Sequence, residues 1–142
     1  MTVQDNIKLV KQVYEALNNR DYDGAYSLHS EDHIRYDARW EEPMKGLEPY
    51  RRFGEGFMNA FPDFNVEVVR VFGQGDLVCD EHISMGTHTE PMKTQDGETI
   101  PPSGNSFKVR SCHIYKIQAG KIVETTVYLD QMTFLSQLGL AP

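Results

Sequence analysis

Val66-Glu67-Val68-Val69-Arg70-Val71-Phe72-Gly73-Gln74-Gly75-Asp76-Leu77 is where the chain changes rhythm. Before it, apolar residues recur every three or four positions; from Val66 onward they recur every second one, the spacing of a strand with two unlike faces. Gly73-Gln74-Gly75-Asp76 then supplies the residues of a tight hairpin turn, so a second antiparallel strand should follow from Leu77 to His88. Two more strands are expected, Phe107 to Ile117 and Ile122 to Asp130, joined by the turn Gln118-Ala119-Gly120-Lys121. Residues 90 to 105, rich in Pro, Gly, Thr and Asp, read as a loop or flap.

Upstream of the switch the pattern is helical. Ile7, Val10, Tyr14 and Leu17 make one apolar face with Lys8, Lys11, Glu15 and Asn18 on the other, predicting a helix over residues 5 to 19. Asp21 can cap a short second helix through Ala25, Tyr26 and Leu28. A short strand from His33 to Asp37 follows. Pro49 opens a third helix whose stripe is Tyr50, Phe53, Phe57 and Ala60. Helices first and strands after, without βαβ alternation, favour an α+β domain in which helices close one side of a curved antiparallel or mixed sheet. No boundary divides the 142 residues, which read as one domain.

Composition limits the function. A formal charge of −7 opposes a nucleic-acid partner, and no apolar run of about 18 residues offers a membrane span. The opening Met1-Thr2-Val3-Gln4-Asp5-Asn6 lacks the basic-then-apolar order of a secretory signal, so a cytoplasmic location is expected. Cys79 and Cys112 lie in strand-like stretches outside any C-x-x-C pair, and are expected as free thiols. His29 and His33 are four apart, yet no third ligand stands at an ordinary spacing, so no metal is expected. Apolar residues on both faces of the last two strands point to a homodimer through the outer face of the sheet.

Gly86-Thr87-His88-Thr89, Ile100-Pro101-Pro102-Ser103-Gly104, His113-Ile114-Tyr115-Lys116-Ile117, Gly120-Lys121-Ile122-Val123-Glu124 and Tyr128-Leu129-Asp130 through Gln137-Leu138-Gly139 together resemble the SnoaL-like polyketide cyclases of the nuclear transport factor 2-like superfamily. The resemblance implies a cone-shaped α+β barrel around a pocket, a small hydrophobic or aromatic substrate, and intramolecular aldol ring closure without cofactor or metal. It also implies that Asp130 is the general acid/base. The same residue is placed to cap a C-terminal helix, and that reading stands beside the first. Where many members carry a His-Trp pair after the Glu of the last strand, this chain has Thr125-Thr126, so its pocket is lined differently.

Alternation puts Glu124, Thr126, Tyr128 and Asp130 on one face of the last strand, expected to be the cavity face. His113 as catalytic partner and His82 as ligand contact are the imidazoles that could join them, able to bond a carbonyl or enolate oxygen. His33 is expected near the cavity mouth. Tyr14 and Trp40, each with an apolar body and a polar tip, are expected to touch substrate, whereas Phe53 and Phe57 suit the core. A binding module without catalysis, an epoxide hydrolase and a ketosteroid isomerase on the same cone are the competing readings.

Overall fold

In a computed structural model that describes residues 1–94 and 96–141, the order of elements is the expected one. Helix α1 (Val3–Asn18) starts on a reciprocal cap: Thr2 Oγ1 accepts from the Asp5 amide and Asp5 Oδ2 accepts from the Thr2 amide. Helices α2 (Tyr22–Tyr26) and α3 (Leu47–Ala60) flank strand β1 (His29–Asp37) and the two-residue β2 (Met44–Lys45). Strands β3 (Asn65–Gln74), β4 (Leu77–Thr87), β7 (Ser106–Gln118) and β8 (Lys121–Leu129) follow, and helix α4 (Gln131–Leu138) ends the fold. The expected loop contains a small hairpin of its own, β5 (Met92–Lys93) with β6 (Thr99–Ile100). Gln95, within that loop, lies outside the described residues.

The main sheet runs β2-β1-β8-β7-β4-β3. All neighbours are antiparallel except β1 and β8, which pair in parallel, Ile34 opposite Glu124 and Asp37 opposite Val127. The β7–β8 turn puts Ala119 and Gly120 at φ 50° and 75°, the left-handed pair whose twist matches that of the strands it joins. Asn18 anchors the end of α1 to β3: its Nδ2 donates to the Val66 carbonyl at 2.9 Å and its Oδ1 accepts from the Val66 amide at 2.8 Å.

One face of the sheet is covered by the helices. Leu9, Val10 and Val13 of α1 pack there with Val78, Val109, Ile117 and Ile122. At the α4 end Phe61, fully buried, meets Phe57, Phe107 and Phe134. Gly86 is required beside it, since a Cβ there would lie 2.9 Å from Phe61 Cβ. The family-like stretch around His88 is a fastening: the Thr87 amide donates to Asp63, and His88 Nδ1 accepts from the Ser103 amide at 3.1 Å. The opposite face leaves Tyr36, Val69, Phe72 and Tyr128 exposed. Cys79 and Cys112 are free thiols with sulfurs 3.4 Å apart.

His29 and His33 are buried in this core, His33 stacked on Tyr50 at 4.1 Å between ring centres. Burial pushes His29 down to about 4 and His33, beside His29 and Arg35, down to about 3. Both folded values are depressed, so an unfolded chain takes up protons below about 6.5 that the folded one refuses until these lower values. Their contribution to stability is complete above that pH and lost as pH falls toward 4 and then 3. Melting temperature should therefore hold steady from pH 8 to 7 and decline below about 6.5. His33→Gln should flatten the decline, and an unchanged slope would show that His33 does not drive it.

Candidate functional site

Between α1, α3 and the concave face of the sheet lies a cavity of about 180 Å³. Its wall is largely apolar, with Leu17, Phe53, Phe57, Phe64, Val127 and Leu129 among the residues lining it. Its polar groups are few: Tyr14 from α1, Arg35 and Arg39 from β1 and the turn after it, His82 and Ser84 from β4, and Ser111, His113 and Tyr115 from β7.

Strand register builds the polar cluster. Asp80 and His82 share the inner face of β4, His113 and Tyr115 share that of β7, and Asp80 sits directly opposite His113. Tyr14 reaches down from α1 and donates its hydroxyl to Asp80 Oδ2 at 2.7 Å. His82 Nδ1 lies 2.5 Å from Asp80 Oδ1, His113 Nδ1 lies 3.1 Å from the Tyr115 hydroxyl, and that hydroxyl is bonded to Tyr14. Asp80 is fully buried, and both of its oxygens are taken.

A carboxylate can only accept, and proton positions can be assigned outward from Asp80. Burial, and for Tyr14 the neighbouring Asp80 charge, push both phenols well above the ordinary tyrosine value, so each keeps its proton to donate. Tyr14 donates to Asp80, Tyr115 to Tyr14, and His113 Nδ1–H to Tyr115, while His82 Nδ1–H donates to the other oxygen of Asp80. Assigned this way, both imidazoles carry their proton on Nδ1 and present a bare Nε2 lone pair. The two are not equivalent. Burial, then the charges of His82, Arg35 and Arg39, hold His113 well below its ordinary value, so it stays neutral. His82 has a carboxylate on its far side to stabilise a proton gained at Nε2.

Several expected residues take other places. Tyr14, His82 and His113 do line the cavity. Tyr128 is 48% exposed, because β8 turns Val127 and Leu129 inward and the Thr126/Tyr128 face outward. Asp130 is likewise not aimed into the cavity beside His113. It caps α4, accepting from the Thr133 amide at 3.0 Å and from the Thr133 hydroxyl at 2.6 Å, and these bonds lower its pKa, weakening it as a base. Asp130→Asn should therefore keep most of the melting temperature and Asp130→Ala should lower it, with cavity chemistry unaffected by either. A loss of rate in the Asn variant, at unchanged stability, would return Asp130 to the reaction.

His33 is not at the mouth but fully buried, its Nε2 2.8 Å from Thr125 Oγ1. Trp40 supports the wall from behind, edge-on to Phe53 at 5.1 Å and beneath the Arg35 guanidinium at 5.0 Å. In the sequence the metal question turns on His29 and His33, and a different set of possible ligands meets in the cavity. Asp80, His82 and His113 bring one donor atom each within 4.8 Å of one another, a set of two imidazoles and a carboxylate that could hold a divalent ion. Asp80, Tyr115, Arg35 and Arg39 were not singled out from the sequence. An Asp two residues before a His, hence on the same face of one strand, was the available signal.

The family model of the SnoaL-like polyketide cyclases matches residues 8–138. Among solved structures, a candidate SnoaL-like polyketide cyclase from Jannaschia sp. CCS1 superposes with a TM-score of 0.84 at 18% identity, covering 98% of this chain and 94% of that one. AclR, a candidate hydroxylase from Streptomyces galilaeus, gives 0.83 at 21%, covering 99% and 100%. An M. tuberculosis LEH-like epoxide hydrolase gives 0.73 at 16%, covering 96% and 90%. At these identities the likeness is one of fold, here nuclear transport factor 2-like. No match was found among curated proteins. The span of the family match, on a fold shared with such cyclases, makes this chain a member of the SnoaL-like polyketide cyclase family.

Proposed function

We propose that this protein is a cofactor-independent acid/base catalyst that removes a proton next to a carbonyl and closes a ring by intramolecular aldol addition. The observation that carries this reading is the buried Asp80 carboxylate bonded to both Tyr14 and His82 Nδ1, an arrangement that, with the protons assigned as above, leaves His82 Nε2 as a base on an apolar cavity. His82 takes the proton from carbon, and Asp80 stabilises the resulting imidazolium. The enolate carbon attacks a second carbonyl of the same molecule, and the imidazolium returns the proton to the new alkoxide. Protons balance over the cycle, with no redox step. Neutral His113 accepts a hydrogen bond at its own Nε2 and orients a hydroxyl or enol of the substrate.

The cavity volume bears on substrate size. An apolar cavity of roughly 150 Å³ takes benzene, so about 180 Å³ suits one ring with a short substituent, and a larger ligand would extend through the mouth. Phenylacetone, a slowly exchanging carbon acid of that size, is a direct probe. Its α-protons should exchange in D₂O faster with the protein present, followed by proton NMR. No acceleration at saturating protein would leave the cavity as a binding site without this chemistry.

A further inference from the structure

Two arginines in the cavity wall are not explained by proton transfer. Asp37 accepts from both: Arg39 Nε and Nη2 bond its two oxygens at 2.8 and 2.6 Å, and Arg35 Nη2 bonds Oδ2 at 2.9 Å. Held by these donors, the Asp37 carboxyl sits at about 2, so it is ionised at neutral pH. Two guanidinium charges against one carboxylate leave a net positive charge on the wall of a cavity within a chain of net charge −7.

The arginines also have donors to spare. Neither Nη1 has a hydrogen-bond partner among the described residues, and Arg35 Nε is buried with none. The buried Arg35 Nε costs free energy unless an acceptor arrives. Arg35 has little freedom to turn away. Its guanidinium lies 5.0 Å from the ring centres of both Trp40 and Phe53 and 5.9 Å from that of Tyr50. Arg39 lies over Trp40 at 5.8 Å. Rigid, paired and facing the cavity, these groups form a preorganised cradle for an oxyanion.

We propose that Arg35, backed by Arg39, binds a carboxylate of the substrate, so that the ligands of this cavity are small aromatic or alicyclic acids rather than neutral ketones. The proposal rests on the reading that the cavity is a substrate site, and it adds the charge class that this site selects. Arg35 stands on β1 and His82 on β4, with β8 and β7 between them in the sheet. A substrate anchored by its acid group at β1 is thereby oriented toward the base on β4.

The test compares phenylacetate with phenylacetamide, matched in size and differing in charge, by calorimetric titration at neutral pH. The acid should bind about ten- to a hundredfold more tightly, the range expected for hydrogen bonds to a charged group. Arg35→Met, which keeps the packing against Trp40 and Phe53, should abolish that preference. Should this variant fold poorly, the comparison on the unaltered protein still decides. Equal affinity for the two compounds, binding of neither at millimolar concentration, or an undiminished preference in a folded Arg35→Met protein overturns the proposal. His82→Gln separates the two claims, since it should lose proton exchange with phenylacetone while still favouring the acid. In the unaltered protein, lost selectivity with intact exchange removes the anion cradle alone, and failed exchange with intact selectivity removes the acid/base mechanism alone.

Discussion

His82→Gln should lower exchange and turnover by about 10² to 10⁴, the usual contribution of a positioned general base. Gln keeps a polar group of similar reach but cannot take a proton at neutral pH. The fold should tolerate it, because His82 makes its protein hydrogen bonds through Nδ1, to Asp80 and at 3.3 Å to Tyr14. Asp80→Asn should cost a comparable factor by another route. Its carboxylate accepts from two donors at once, and an amide has only one accepting oxygen, so either Tyr14 or His82 is left without a partner. The imidazole is then free to carry its proton on Nε2, which disarms it as a base. Stability should fall too, since the site is fully buried. Rate constants of the two variants, measured with their melting curves, check this. Full activity in His82→Gln would place the base elsewhere in the cavity.

The largest loss of stability is expected from Phe61→Ala. Phe61 is fully buried, 4.9 Å from the rings of both Phe57 and Phe107, 5.3 Å from His88 and 6.2 Å from Phe134. Truncating such a ring leaves a void that neighbours fill only in part, at a cost of about 3–5 kcal/mol. For a domain of this size the melting temperature should drop by on the order of 10 °C. Denaturant unfolding measures it. A loss below about 1 kcal/mol would show that the cluster collapses into the gap, against the usual behaviour of close-packed cores.

What could be read from the chain was what local rules govern. Apolar spacing located α1 and α3, and turn residues located the β3–β4 and β7–β8 hairpins, because those signals lie within a few residues of the structure they cause. The parallel neighbour of β1 was hidden, since Ile34 meets Glu124 with no sequence mark at either end. Alternation also states which residues share a face of a strand and is silent on which face is inside. For β8 the inner set proved to be Val127 and Leu129, so Tyr128 and Asp130 fell outside the cavity. Asp80 was passed over because an acid in a strand reads as solvent-facing, although two donors from distant segments make its burial tolerable.

The parallel pairing of β1 with β8 also sets an order of events. Until residues 121 to 129 are in place, β1 has only the two-residue β2 beside it, so its other edge stays bare. Closing so long a loop costs on the order of 4 kcal/mol of chain entropy before any contact repays it. The β3–β4 and β7–β8 hairpins carry no such penalty and can form early. β4 and β7 hold Asp80, His82, His113 and Tyr115 side by side without β1, and β8 is the strand that draws β1, with Arg35, into the sheet.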